Sequence, residues 1–271
     1  MSKVKTKIGI IGAGAIGGGV ALFIEKALSQ KADLFALADI NHKNAKALQK
    51  RLASHPKVLD TDSLIRRADL IIETASVAAA RYILEKAIKL KKDILILSVG
   101  ALIEEPSVLK RAEKAGINIY IPSGAICATD AVGAFSLGKI KKITLTTRKP
   151  PAGLAGAEYL KMKRISLSNL KKERVIFEGS VYEAIDFFPK NINVAATLLL
   201  ASSFANVKVC IKVDPKIKRN IHRIEIEARE GNLRAEVENV PSKLNPKTST
   251  LAILSAQYAL KKIFSSLKIG G

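Results

Sequence analysis

A short glycine-rich segment near the amino terminus constrains the fold more than any other feature of this sequence. Gly12, Gly14 and Gly17 are spaced as Gly-x-Gly-x-x-Gly, between an apolar run at 7–11 and a segment with helical character. In such a unit the first glycine permits a tight turn, the second lets a pyrophosphate approach the backbone, and the third lets helix and strand pack closely. The N–H groups and dipole at the helix start favour phosphate. The predicted phosphate-binding residues are Gly12, Ala13, Gly14, Ala15, Ile16 and Gly17.

An acidic residue at the end of the second apolar run supports this interpretation. Asp39 follows the run at 33–38 and stands 22 positions after Gly17, close to the expected spacing of about 20. A carboxylate there accepts hydrogen bonds from the adenosine ribose and repels a 2′-phosphate, so NAD is favoured over NADP. His42 and Lys43 follow and offer partial accommodation to NADP. The alternative role for Asp39 is to cap the next helix.

Strand and helix patterns alternate through the first half of the chain. Near-continuous apolar runs such as Asp93–Ser98 are separated by segments with helical periodicity, which is typical of a parallel sheet covered on both faces. After Pro122 the pattern changes. Strands such as Lys139–Arg148 alternate polar and apolar residues, as half-exposed strands do.

The predicted fold class is therefore α/β, with an N-terminal Rossmann dinucleotide-binding domain and a second α+β domain built on a mainly antiparallel sheet. We assign residues 1–122 to the Rossmann domain and expect a C-terminal helix in 246–271 to complete it. Residues 123–245 are the predicted substrate and catalytic domain. Within this domain, a helix is predicted over Asn193–Phe204, with Asn193 as its N-terminal cap. A turn is predicted further along the chain, at Gly231-Asn232.

The segment Asn220–Ala228 (NIHRIEIEA) is predicted to be a strand with two different faces. Its solvent face carries Arg223, Glu225 and Glu227, and its apolar face carries His222, Ile224 and Ile226. One of only three histidines therefore points inward. A core histidine with satisfied hydrogen bonds is one interpretation. The other is proton transfer, because the unperturbed pKa of histidine lies near neutral pH.

Composition narrows the classes of function. Lys+Arg 45 against Asp+Glu 24 gives a net charge of +21, but the basic residues are scattered, aromatics make up 5% of the chain and tryptophan is absent. Without basic–aromatic interleaving there is no base-stacking platform, so nucleic acid is not favoured as the main partner.

Cys127 and Cys210 are too few for a disulfide framework or a zinc site, so we predict no metal and a cytoplasmic location. No uncharged apolar run reaches the roughly 18–20 residues that span a bilayer. Three glutamines among many lysines favour a hot source.

Over nearly its full length the chain resembles the L-aspartate dehydrogenase family of archaea and bacteria. The glycine turn is generic, but the order and spacing of the matching segments together are specific. Those segments are GAGAIG at Gly12–Gly17, ETAS at Glu73–Ser76, LSVGAL at Leu97–Leu102, IPSGAI at Ile121–Ile126, TRKPP at Thr147–Pro151, FPKNINVAAT at Phe188–Thr197, DPKIKRNIHRIEIEA at Asp214–Ala228 and NPKTS at Asn245–Ser249.

The resemblance implies NAD(P)-dependent oxidative deamination of L-aspartate to iminoaspartate or oxaloacetate plus ammonia, which feeds NAD biosynthesis. It also implies a homodimer, with residues 123–245 as the dimerisation domain. The histidine of the NIHRI motif is the implied catalytic residue, which here is His222. Ala125 and Asn193 are implied cofactor-binding residues, with Asn191 as the alternative to Asn193. Ala75, in the ETAS segment, is a further predicted cofactor-binding residue.

This sequence departs from the family in one predicted cofactor loop. The family usually continues Ser-Gly-Ala-Ile with Gly-Gly-Leu-Asp, whereas this chain has Cys127-Ala128-Thr129-Asp130. Cys127 and Ala128 replace two glycines, so the loop has less conformational freedom and its geometry can differ from that of the family. We interpret Cys127 as a packing residue. Three lysines, Lys149, Lys190 and Lys247, are candidate holders of the substrate carboxylates, but each is interpreted as a solvated surface residue.

Two alternatives remain open from sequence. One is a related two-domain reductase, such as dihydrodipicolinate reductase or homoserine dehydrogenase. The other belongs to a different class, a dinucleotide-sensing or nucleic-acid-binding regulator, which the charge of +21 suggests.

Overall fold

A computed structural model describes residues 4–168, 170–188, 192–245 and 248–270, with the backbone alone at residue 192. The chain divides into two compact units. The first unit contains Met1–Pro122 and Ala252–Lys268, and the second contains Ser123–Leu251 and Ile269–Gly271.

The first unit is built on a six-stranded parallel sheet with the strand order β3-β2-β1-β4-β5-β6. Its strands are β1 (Thr6–Ile11), β2 (Ala32–Ala38), β3 (Lys57–Val58), β4 (Leu70–Glu73), β5 (Asp93–Ile96) and β6 (Ile119–Tyr120). The order reverses between β1 and β4. In open α/β sheets, ligands bind outside the carboxyl ends of the strands at such a switch point.

Helices connect these strands. They are α1 (Ala15–Ala27), α2 (His42–Gln49), α3 (Thr61–Arg67), α4 (Val77–Lys89), α5 (Gly100–Glu104) and α6 (Ser107–Ala115). Three begin at a polar residue whose side chain accepts a backbone N–H, namely Asn41, Asp60 and Ser76. Buried Ile8, Ile10, Val20, Ile24 and Leu37 belong to one apolar cluster between sheet and helices.

The second unit is built on a five-stranded sheet with the order β11-β10-β7-β9-β8. Its strands are β7 (Ile140–Lys149), β8 (Arg174–Ser180), β9 (Val207–Val213), β10 (Asn220–Ala228) and β11 (Gly231–Asn239). The β7–β9 pair is parallel, and the β10–β11, β10–β7 and β8–β9 pairs are antiparallel. The predicted fold class is confirmed.

Five helices follow or precede these strands in the described part of the second unit. They are α7 (Thr129–Ser136), α8 (Pro151–Leu154), α9 (Glu158–Met162), α10 (Val181–Phe187) and α11 (Ile192–Ala201). One sheet face is apolar and buried, with Leu145, Val209 and Ile224 among its residues. Arg223 and Glu236 of the opposite face are paired with each other at the surface.

Two local predictions are wrong. Ala228 pairs with Gly231, so Arg229-Glu230 forms the turn between β10 and β11, and Gly231 already belongs to β11. The φ of Gly231 is +148°, which L side chains rarely adopt, so the glycine is needed one position beyond the turn. Helix α11 begins at Ile192, and therefore Asn193 lies within its first turn and does not cap it.

The last helix, α12 (Thr250–Ile263), supplies Ala256 and Leu260 to the apolar cluster of the first unit. The C-terminal segment of the first unit begins at Ala252, six residues later than the predicted boundary at residue 246. The reason is local, because the N–H of Thr250 donates to the carbonyl of Val240 and keeps the start of α12 with β11. No helix within the described ranges has both the length and the apolar character needed to traverse a membrane.

Candidate active site

The glycine turn connects β1 to α1 at the carboxyl edge of the parallel sheet. Gly12 has φ +103°, and a Cβ there would lie 2.6 Å from the carbonyl carbon of Thr74. A Cβ on Gly17 would lie 1.9 Å from the carbonyl oxygen of Gly12. At Gly14, by contrast, no described atom lies within 4 Å of the position of a Cβ. The turn is therefore closed where the chain packs and open where a pyrophosphate would approach.

Asp39 is tied directly to this turn. Its Oδ2 accepts a hydrogen bond from the N–H of Ala13 at 2.7 Å, and its Oδ1 accepts one from the N–H of Asn41 at 2.8 Å. The cap of α2 is Asn41, whose side chain accepts from the N–H of Lys43. Asn41, and not Asp39, therefore caps α2, so the alternative role of Asp39 as a helix cap is excluded. A carboxylate with one hydrogen bond at each oxygen keeps acceptor capacity for ribose hydroxyls.

A buried carboxylate that sequence reasoning did not single out joins the ends of β4 and β5. Glu73 is 0% exposed and accepts four hydrogen bonds. Its donors are the N–H of Ala75 at 2.7 Å, the hydroxyl of Ser98 at 2.8 Å, the N–H of Ser98 at 2.9 Å and the N–H of Leu97 at 3.3 Å. Burial raises the pKa of Glu73, and these hydrogen bonds oppose the increase. An acid that directly follows the apolar run LII was the available signal.

The segment after β4 rests on the glycine turn. The hydroxyl of Thr74 donates to the carbonyl oxygen of Gly12 at 2.7 Å. Ala75 is exposed, and its N–H is held by Glu73. The structure thus brings together three predicted cofactor-binding elements: the glycine turn, Asp39 and Ala75.

His222 lies on the buried face of β10, as predicted, and is 6% exposed. Its Nδ1 lies 3.0 Å from the Oγ1 of Thr147, its partner on β7. Burial, with a smaller contribution from the charge of Lys149, lowers the pKa of His222 to about 3. The imidazole is therefore neutral at neutral pH.

Lys149 is buried beside this histidine, and its interpretation as a solvated surface lysine is wrong. It is 7% exposed, and burial lowers its pKa to about 8. Strand β7 continues to Lys149, one residue beyond the predicted end. The available signal was alternation, because Leu145, Thr147 and Lys149 share one face of β7.

The loop after β6 is fixed by a residue far along the chain. Asn239 is 3% exposed, and its Nδ2 donates to the carbonyl oxygen of Ala125 at 3.0 Å. Ala128 precedes α7 with φ 59° and ψ 25°, a left-handed conformation that glycine adopts more easily. The backbone at position 128 therefore has the conformation that suits the family's glycine, although this chain has alanine there. Burial raises the pKa of the Cys127 thiol, which fits a packing role.

Asn193 is exposed in the first turn of α11, and its carbonyl accepts a hydrogen bond from the hydroxyl of Thr197. Asn191, Lys190 and Lys247 lie outside the described residues. Near the start of α11, Phe188 packs in an aromatic cluster with Tyr159, Phe177 and Phe187. Within the second unit the structure brings His222, Thr147 and Lys149 together.

These features define a class of protein. A glycine turn at the switch point of a parallel sheet, bonded to an acid after the second strand, is the architecture of an NAD(P)-binding domain. With its second α+β unit, the chain is a two-domain NAD(P)-dependent oxidoreductase. A family model described as "Homoserine dehydrogenase, NAD binding domain" matches residues 12–122, and one described as "Aspartate dehydrogenase, C-terminal" matches 130–263. The chain belongs to the L-aspartate dehydrogenase family.

Relatives match along almost the whole chain, which confirms the resemblance. The L-aspartate dehydrogenases of Methanosarcina barkeri and Methanosarcina acetivorans are 42% and 43% identical to it, over 97% of this chain and 99% of each relative. That of Methanocaldococcus jannaschii is 39% identical with the same coverage.

Solved structures share the fold. The crystal structure of aspartate dehydrogenase from Thermotoga maritima has a TM-score of 0.75 and 24% identity, covering 98% of this chain and 100% of that one. The myo-inositol dehydrogenase from Lactobacillus casei, in complex with NAD(H) and myo-inositol, has a TM-score of 0.59 and 14% identity, covering 96% of this chain and 84% of that one. At these identities the likeness concerns the fold alone.

Proposed function

We propose that this protein catalyses the NAD(P)-dependent oxidative deamination of L-aspartate to iminoaspartate, which water converts to oxaloacetate and ammonia. The observation that carries the proposal is the buried polar cluster of His222, Thr147 and Lys149 on one sheet face, in a chain whose full-length relatives are L-aspartate dehydrogenases. A neutral imidazole on this buried face is suited to the proton transfer that oxidation of an amino acid requires.

The first unit holds the cofactor in this proposal. The glycine turn at Gly12–Gly17 and the start of α1 would hold the pyrophosphate, and Asp39 would accept from the adenosine ribose, which favours NAD over NADP. Ala75 lies beside the glycine turn, where Glu73 fixes its N–H. When bound, the nicotinamide supplies the hydride acceptor for the substrate Cα–H.

His222 moves the protons. The substrate must lose a proton from its ammonium before the Cα–H can leave as hydride, and later a water that attacks the imine must lose one. If Nδ1–H donates to the hydroxyl oxygen of Thr147, the lone pair of Nε2 is available to accept these protons. The pKa of about 3 belongs to the protein without substrate, and nearby carboxylates would raise it, because an anion stabilises the imidazolium.

Ala125 and Asn193 are proposed as further cofactor-binding residues on the family resemblance. The hydrogen bond from Asn239 holds the Ala125 carbonyl in place, which supports a defined contact there. Asn191 stays the alternative to Asn193. A role in NAD biosynthesis, a homodimer formed through the second unit and a cytoplasmic location are proposed on the family resemblance.

A direct assay tests the proposal. The purified protein should reduce NAD with L-aspartate and oxidise NADH with oxaloacetate plus ammonia. Homoserine is the necessary comparison, because the first unit matches a homoserine dehydrogenase NAD-binding domain. Turnover of L-homoserine without turnover of L-aspartate would replace the proposal by this second candidate. NADH binding without turnover of either substrate would leave the regulator as the better account.

A further inference from the structure

We infer that Lys149 is a substrate-binding residue whose ammonium group holds a carboxylate of the substrate beside His222. The inference rests on the proposed function and extends it from proton transfer to substrate recognition.

The position of Lys149 on β7 is the first argument. Thr147 pairs directly with His222 across the β7–β10 ladder. Side chains two residues apart on a strand point to the same face at a spacing of about 7 Å. Lys149 therefore lies on the same buried face as the imidazole, one step along the strand from the hydroxyl that contacts it.

The burial of Lys149 is the second argument. Lys141 and Lys142 lie on the same strand, and both are exposed. Lys142 pairs with Glu227 at the surface, with 60% of its side chain exposed. Lysine is almost never fully buried, because taking an ammonium out of water is costly. A lysine kept at 7% exposure beside a buried histidine is the kind of perturbed ionisable group that marks functional sites.

The charges explain how binding and catalysis would cooperate. With a pKa of about 8, Lys149 is still mostly protonated at neutral pH and can bind a carboxylate. Its charge is one cause of the low pKa of His222. A carboxylate placed on Lys149 offsets that charge, so the pKa of His222 rises when the substrate is present. Substrate binding would thus prepare the imidazole to accept the ammonium proton.

The experiment compares Lys149→Met, Lys149→Gln and Lys149→Arg with the wild type and with the exposed control Lys142→Met. Steady-state kinetics give kcat and KM for L-aspartate, calorimetry gives the Kd of succinate for the NADH-bound protein, and Tm reports the fold. Removing the buried cation should raise KM and the succinate Kd about 30-fold or more, with less effect on kcat. Lys149→Arg should recover part of the affinity, and Lys142→Met should stay within about twofold of wild type.

L-asparagine identifies which carboxylate is held. If Lys149→Met raises KM for L-aspartate alone, the side-chain carboxylate is the partner. If it raises KM for both amino acids, the α-carboxylate is the partner, and either result supports the inference. Folded Met and Gln variants whose KM and succinate Kd stay within about threefold of wild type would overturn it. If these variants do not fold, the pH dependence of the wild type decides. Deprotonation of an ammonium with a pKa of about 8 should raise the succinate Kd between pH 7 and about pH 9.5, and an unchanged Kd over that range overturns the inference.

The proposed function can fail separately. A wild-type protein that does not oxidise L-aspartate but binds succinate in a Lys149-dependent manner would refute the activity and retain the anion site. A wild-type protein that binds no dicarboxylate would refute the site.

Discussion

Glu73 in the first unit and the His222–Lys149 pair in the second are both buried ionisable groups, but they are accommodated differently. Four donors surround the carboxylate of Glu73, and all of them come from the loops that it connects. His222 has one hydroxyl contact at Nδ1, and burial lowers the pKa of both it and Lys149. Burial also raises the pKa of Glu73, but its four hydrogen bonds oppose that shift and fix the loops around it. At His222 and Lys149 a nearby anion would raise both lowered pKa values, so these two groups can change their ionisation when the surrounding charge changes. The first arrangement is suited to position a cofactor, and the second is suited to respond to a substrate.

The largest effect is expected from replacing His222, which disrupts the His222–Lys149 pair of the second unit. His222→Ala should lower kcat for L-aspartate by about 100-fold or more, the usual scale for a general acid–base residue, while the Kd of NADH stays unchanged. The matched control is His55→Asn, because His55 is exposed and asparagine tolerates its positive φ. Near-normal turnover in a folded His222→Ala protein would return this residue to a core role.

Glu73→Gln tests the first arrangement. The amide places an NH₂ group where two donors now point, so the free energy of unfolding should fall by about 1–3 kcal/mol in urea titrations. The Kd of NADH should rise as well, because Ala75 loses its anchor. Glu105→Gln is the control, since Glu105 forms an exposed pair with Arg111 and should change stability by less than about 1 kcal/mol. Equal stability of the wild type and Glu73→Gln would show that the four hydrogen bonds do not matter for the fold.

Thr147→Val should have a smaller effect on the same catalytic step as His222→Ala. The valine keeps the shape of the side chain but removes the partner of Nδ1, so kcat should fall about tenfold, equivalent to about 1.4 kcal/mol. Thr147→Ser keeps the hydroxyl and should stay within about threefold of wild type. If the valine and serine variants have the same kcat, Thr147 does not orient the imidazole.

The smallest expected effect concerns Ala128. A left-handed alanine costs about 1–2 kcal/mol, and glycine relieves this strain but adds entropy to the unfolded chain. Ala128→Gly should therefore stabilise the protein by no more than about 1 kcal/mol, measured by thermal unfolding. Ala134→Gly, at an exposed position within α7, should instead destabilise it by about 0.5–1 kcal/mol. Destabilisation by both variants would mean that Ala128 is not strained.

The two sites also differ in how far the sequence could predict them. The glycine turn and Asp39 were predictable because each depends on a local strand–turn–helix spacing. The inward face of β10 was predictable from alternation. Alternation places Lys149 on the same face of β7 as Thr147, but its burial also depends on where β7 ends and on what covers that face of the sheet, and periodicity reports neither.

Glu73 escaped prediction for a different reason. Its partners at Leu97 and Ser98 are 24 and 25 positions away, and the parallel pairing of β4 with β5 is needed to bring them together. The turn at Arg229-Glu230 was missed because Gly231-Asn232 has the better turn composition. The pairing of Ala228 in β10 with Gly231 in β11 places Arg229 and Glu230 in the turn, and composition alone does not report this register.

The placement of α12 affects the order in which the protein can fold during synthesis. The first unit opens the chain, yet Ala256 and Leu260, both fully buried in its apolar cluster, come almost at the end. A ribosome must therefore translate residues 123–251 of the second unit before the nucleotide-binding unit can close its core. For the same reason, a fragment cut after Pro122 would expose an apolar groove and aggregate, whereas one that joins 1–122 to 252–268 through a flexible linker would carry all of its core.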